Sequence, residues 1–143
     1  MFKKAQRSES KLKLAITGPS GSGKTYSSLL LAKGLGGKVA VIDSENGSAA
    51  LYAQTFDFDT MTISPPYSTE KYIAAINGAV DAGYDVVIID SITHAWSGEG
   101  GLLSQKEQLD ARGGNSYTNW AKITPKHEAF IGTILHSKIH VIA

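Results

Sequence analysis

The sequence contains no cysteine, which excludes disulfides and thiolate metal sites and suits a reducing compartment. Arginine is scarce as well: Arg7 and Arg112 are the only two, which weighs against an arginine-rich phosphate lid of the kind that small-molecule kinases close over their acceptors. No apolar run approaches the roughly 20 residues of a membrane span, and Met1 to Lys13 lack the continuous apolar stretch of a secretory signal; the expected location is the cytoplasm. There is no repeat with a period of about 20 to 50 residues and no low-complexity tract. His94, His127, His136 and His140 show no metal-ligand spacing.

What is present fits one ordinary domain. The chain has 143 residues, 42% of them apolar, with 14 basic against 13 acidic side chains. The charge is unevenly spread. Lys3, Lys4, Arg7, Lys11 and Lys13 face only Glu9 within the first 13 residues, so residues 1–10 read as a basic flexible leader and 11–143 as the folded domain. Such a leader can touch nucleic acid or simply remain solvated.

The stretch Gly18-Pro19-Ser20-Gly21-Ser22-Gly23-Lys24-Thr25 fits the phosphate-loop pattern G-x-x-x-x-G-K-[ST] at every specified position. Its glycines let successive backbone N–H groups turn toward an anion, and a helix starting there adds its positive end. The flanks agree with that reading. Lys11 to Thr17 carries Leu12, Leu14, Ala15 and Ile16 as a strand, and Leu29, Leu30, Leu31, Ala32 and Leu35 follow at helical spacing. The predicted nucleotide site therefore comprises Gly18 to Tyr26, with Lys24 reaching the β and γ phosphates and Thr25 completing the shell of a Mg²⁺ ion.

Two more stretches place acids beside this loop. Lys38 to Asp43 is a short β-branched run of the kind buried in a parallel sheet, and Glu45 follows its end. Glu45 reads either as a general base or as a loop or helix-capping carboxylate. Val86-Val87-Ile88-Ile89-Asp90 is a second aliphatic strand ending in an acid, and Asp90 is the expected metal-holding carboxylate. Elsewhere the pattern predicts a short helix over Ser48 to Gln54, a strand over Asp59 to Ser64, helices over Thr69 to Ala82 and Leu102 to Ala111, a helix opening at Thr124-Pro125, and a strand from Ile139 to Ala143. Ser91 to Asn119 reads as loop-rich and mobile. Its residues His94, Trp96, Arg112 and Tyr117, with Trp120 just beyond, could stack on bases or grip phosphates, or be core aromatics and solvated charges.

Gly18 to Thr25, Val41-Ile42-Asp43-Ser44-Glu45, Val86 to Ser91 and Ile139 to Ala143 together resemble RecA-like P-loop ATPases, and more narrowly the phage-type ATP-binding proteins of the AAA grouping. The resemblance implies an α/β three-layer sandwich with a mostly parallel sheet, in which the last strand lies between the phosphate-loop strand and the Asp90 strand. It implies ATP and Mg²⁺ as ligands and Lys24 and Glu45 as the catalytic pair, with Glu45 orienting the attacking water. It also implies a role in phage DNA recombination or single-strand annealing in the host cytoplasm, single-stranded DNA as a partner, and homo-oligomers of the full-length form. In that family a polar sensor residue follows the last strand, and later strands and basic residues reach a neighbour's nucleotide. The sequence stops at Ala143 before these, so the expectation is a shortened domain with weak or absent turnover. A nucleotide-dependent binding module without turnover is the alternative from another class, and a small-molecule kinase a third.

Overall fold

Strands and helical turns alternate as far as the strand ending at Asp90, after which three helices precede the last strand; the computed structural model describes all 143 residues of the chain. The strands are β1 (Lys13–Leu14), β2 (Val39–Asp43), β3 (Asp59–Thr62), β4 (Val86–Asp90) and β5 (His140–Ile142). The helices are α1 (Lys24–Leu35), α2 (Thr69–Asp81), α3 (Thr93–Ser97), α4 (Leu102–Ala111) and α5 (Ser116–His136), with a single 3-10 turn over Ala49–Tyr52. Residues 1–12 carry no regular structure and are exposed.

The sheet has the order β1-β5-β4-β2-β3, and every pairing is parallel. The predicted insertion of the last strand beside the phosphate-loop strand is therefore observed, and the sheet is wholly parallel. Parallel strands require crossover helices, and those helices bury both faces. Side-chain alternation divides the strands cleanly. Val39, Val41, Val86, Ile88 and Ile142 face a layer containing Leu29 and Ala32 of α1 together with Ala49 and Phe56. Ile42, Val87, Ile89 and Val141 face Tyr72, Ala75, Ile76 and Ala79 of α2 and Phe130 of α5. Tyr72 and Ile76 are fully buried, and each such side chain stabilises the fold by roughly 1.5–3 kcal/mol. This is the three-layer arrangement expected of the sequence.

Several elements depart from expectation. The first strand is reduced to Lys13–Leu14 because β1 is an edge with a single neighbour, although Ile16 still donates its N–H to the Ala143 carbonyl at 2.8 Å. On α1, Leu30, Leu31 and Leu35 are exposed, so only part of its apolar surface packs inward. Thr124-Pro125 does not open a helix: α5 runs through Pro125 without interruption. An earlier signal wins, since the Asn115 side chain accepts the Tyr117 N–H at 2.9 Å and caps the helix there. Ile123 and Phe130, buried on either side of the proline, hold the helix together across the hydrogen bond that proline cannot make. The segment from Ser91 to Asn119 is mainly helical, because its glycines serve as turns between α3, α4 and α5.

Lys13 ties the first strand to the end of α5. Its ammonium donates to the Ser137 carbonyl at 2.8 Å and to the Ile139 carbonyl. Burial, with Lys11 adding to it, lowers the Lys13 pKa below the ordinary lysine value.

Candidate nucleotide site

The loop between β1 and α1 begins the site. Gly21 and Gly23 adopt φ of 77° and 88°, a left-handed conformation that side chains disfavour. Their presence allows the backbone to fold around an anion at the start of α1. Lys24 lies across this loop, donating from Nζ to the Gly18 carbonyl at 2.7 Å and the Pro19 carbonyl at 2.8 Å. One residue on, the Thr25 hydroxyl donates to Asp90 Oδ2 at 2.7 Å. That bond joins the loop to the end of β4.

The carboxylates arrive through register. β2 and β4 pair with Asp43 opposite Asp90, so both strands end at one level and deliver their acids to the same rim. Asp43 accepts the Glu45 N–H at 2.7 Å, which turns the chain so that Glu45 faces the loop. Glu45 Oε1 accepts the Ser91 hydroxyl at 2.8 Å. Ser44 stitches the two strand ends together, donating its N–H to the Asp90 carbonyl at 2.8 Å and accepting the Ser91 N–H at 3.1 Å. The Asp90–Ser91 peptide is cis.

Burial raises the Asp90 pKa above its ordinary value; the hydroxyl of Thr25 opposes this, and the nearby charges of Glu45 and Asp43 reinforce it. A rim crowded with negative charge favours a cation. Thr25 and Asp90 offer hard oxygen donors of the kind Mg²⁺ takes. No cluster of three or more acidic or histidine side chains forms a self-sufficient metal cage, so a cation held here would complete its shell with water and phosphate oxygens.

These groups line one cleft of about 520 Å³, bounded by Gly18, Ser20, Gly21, Gly23, Lys24 and Thr25 on one side and by Glu45, Asp90 and Ser91 on the other. The structure thus brings together Lys24, Thr25, Glu45 and Asp90 with the loop backbone. Pro19, Ser22 and Tyr26 are not among the lining residues. Pro19 contributes its carbonyl to Lys24, and Ser22 donates its N–H to Pro19 at 3.2 Å. The Tyr26 ring packs edge-on against Tyr52 and Phe56, with centroids 5.8 and 5.5 Å away.

Sequence reasoning missed Ser48, Leu51, Tyr52 and Thr93 as walls of the cleft; it named Ser44 only within a resemblance stretch and His94 only as a base-stacking, phosphate-gripping or core residue, whereas the structure puts the two together beside Glu45. Ser48 donates to Asp90 Oδ2 at 3.5 Å. Its position three residues after Glu45 was the available signal, since a turn of helix after a rim acid points back into the rim.

No curated protein matches this chain. The model of the AAA domain family matches residues 10–143, nearly the whole length and every residue that lines the cleft. With its parallel sheet, phosphate loop and acidic rim now described, the chain belongs to the AAA domain family of nucleotide-binding ATPases.

Proposed function

We propose that this domain is a Mg²⁺-dependent ATPase core of RecA-like type that hydrolyses ATP to ADP and phosphate. The observation that carries the reading is the Thr25–Asp90 bond of 2.7 Å at the mouth of the glycine loop. It puts the loop hydroxyl and the rim carboxylate at one point, where a single cation can take both. Lys24 would exchange its two carbonyl partners for β and γ phosphate oxygens, and the loop N–H groups would hold the remaining phosphate charge. Mg²⁺, when bound, neutralises charge on the phosphates and fixes their orientation. Glu45 would orient water for attack on the γ-phosphorus, so that the bond to the ADP oxygen breaks and the water proton passes to the carboxylate or to phosphate.

The reading extends to a role in phage DNA recombination or annealing through family resemblance; single-stranded DNA as a partner has separate support in the α3–α5 region. Trp96 is exposed and stacks on Trp120, with centroids 6.2 Å apart and planes 17° from parallel. Arg112, Lys122 and Lys126 line a groove between α4 and α5. Paired aromatics and cations are what base stacking and phosphate neutralisation use.

The test is phosphate release from ATP with Mg²⁺, with EDTA, and with and without single-stranded DNA at low salt. Mg²⁺-dependent release supports the ATPase reading. Background release with tight ATP binding would instead establish a nucleotide-dependent binding module, and absence of ATP binding would end both readings. DNA binding that weakens steeply with salt supports the partner, and none at low salt removes it.

A further inference from the structure

His94 lies in the first turn of α3, just past the end of β4. Its Nδ1 is 3.1 Å from Ser44 Oγ and 3.6 Å from Glu45 Oε1. Ser44 bears on where the imidazole hydrogen lies. Its hydroxyl accepts the Ser91 N–H at 3.1 Å and lies 3.0 Å from the Ser91 carbonyl, which can take its hydrogen. With the hydrogen on that carbonyl, Oγ keeps an acceptor site toward the ring, an arrangement that fits an Nδ1–H donating to it. The positive end of that N–H then faces the same Glu45 oxygen that Ser91 holds at 2.8 Å.

The ring is fixed from behind. Tyr67 stacks on it with centroids 4.7 Å apart and planes at 26°, and the Tyr67 N–H donates to the Glu99 carbonyl at 2.7 Å. The turn after α3 closes directly on this pair. A Cβ at position 98 would lie 2.7 Å from the His94 carbonyl oxygen and 2.8 Å from the Tyr67 ring, and one at position 101 would lie 2.6 Å from that same oxygen. Only glycine fits such an approach. The close packing holds the His94 backbone, and the Tyr67 stack covers one face of its ring.

We infer that His94 is a positioning residue for Glu45. With Ser91 it faces Oε1, which leaves Oε2 as the oxygen to take the attacking water; the inference rests on the ATPase reading above. Both contacts to the carboxylate fall on Oε1, so the second oxygen is the one free to act. Holding a reacting group in one orientation matters because displacement by about 1 Å can cost roughly 100-fold in rate.

The experiment compares Mg²⁺-ATP hydrolysis by the wild type, His94→Ala and His94→Asn, and reads the imidazole nitrogens of the wild type by ¹H–¹⁵N NMR. His94→Ala is expected to lower kcat by about 10- to 100-fold with KM unchanged. His94→Asn, whose amide N–H occupies the place of Nδ1–H, is expected to recover most of that loss. The neutral wild-type ring is expected as the Nδ1–H tautomer. An unaltered kcat in His94→Ala, or a loss confined to KM, overturns the inference. So does an Nε2–H tautomer, which needs no turnover to observe and judges His94 even if hydrolysis is at background. Failure of the wild type to hydrolyse ATP while the Nδ1–H tautomer is found counts against the ATPase reading and leaves the contact to Glu45 standing.

Discussion

The nucleotide cleft has two walls made in different ways. The loop wall, Gly18 to Thr25, is contiguous in sequence and is built mainly from backbone, with glycine conformations and carbonyls doing the shaping. The rim wall joins Asp43, Ser44 and Glu45 to Asp90, Ser91 and His94 across 46 to 50 residues, and is built from side chains. The first needs only a local pattern. The second exists only when β2 and β4 pair with Asp43 opposite Asp90. A shift of one residue would send these side chains to the opposite faces of the sheet. Binding and turnover should separate along the same line, with the loop wall governing affinity and the rim wall governing chemistry.

The sharpest way to break this division is Glu45→Gln, which keeps the shape of the side chain and removes its charge. Turnover is expected to fall by about 100-fold or more, while ATP affinity measured by calorimetry stays near the wild-type value. A large loss of affinity would show that the rim grips the nucleotide. Lys24→Ala probes the other wall. Losing charge-assisted bonds to phosphate is expected to weaken ATP binding by about 10- to 100-fold, and unchanged affinity would remove the phosphate-loop assignment.

Asp90→Asn gives the smallest effect and concerns stability. Burial raises the folded-state pKa of Asp90 above its ordinary value, so the folded protein holds a proton at pH values where the unfolded chain has released it. The associated stability is present at low pH and is lost as pH rises through the folded pKa. At pH 7 the ionised carboxylate therefore opposes folding. Asparagine removes that charge and can still accept from Thr25. The free protein is expected to melt about 3 °C higher at pH 7, roughly 1 kcal/mol for a domain of this size, with the gain vanishing in acid and with weaker Mg²⁺-dependent nucleotide binding. A lower Tm at pH 7 would show that Asp90 is stabilising as a charge.

The same contrast explains what could be read from the sequence. The phosphate loop and its helix were legible because everything that shapes them lies within about a dozen residues. Asp90 was legible because an unbroken aliphatic run announces a strand buried on both faces and its end marks the rim. The position of β5 between β1 and β4 came through family resemblance, since strand order leaves little local trace. The pairing of Ser44 with His94 was not legible, although Ser44 lies in a resemblance stretch and the sequence reads His94 as a stacking, phosphate-gripping or core residue: each acquires its meaning from a partner beyond the end of another strand. The error at Thr124-Pro125 has a different origin. Two capping signals competed, and burial of Ile123 and Phe130 let the helix run from Asn115 through the proline. The glycines between Ser91 and Asn119 were read as looseness, whereas those at 98 and 101 permit the tightest packing around His94.

The pairing of β1 with β5 joins Lys13 to Val141 and Leu14 to Ile142, across 128 residues of sequence. During synthesis the strand that carries the phosphate loop emerges before the other four, yet its partner in the sheet emerges more than a hundred residues later. Contacts so distant in sequence form slowly. The loop that is simplest to recognise in the sequence thus waits for β5 before it is anchored. Until β5 arrives, the nascent protein can assemble its β2–β4 rim without a fixed phosphate loop, so nucleotide affinity would report the docking of β5 beside β1.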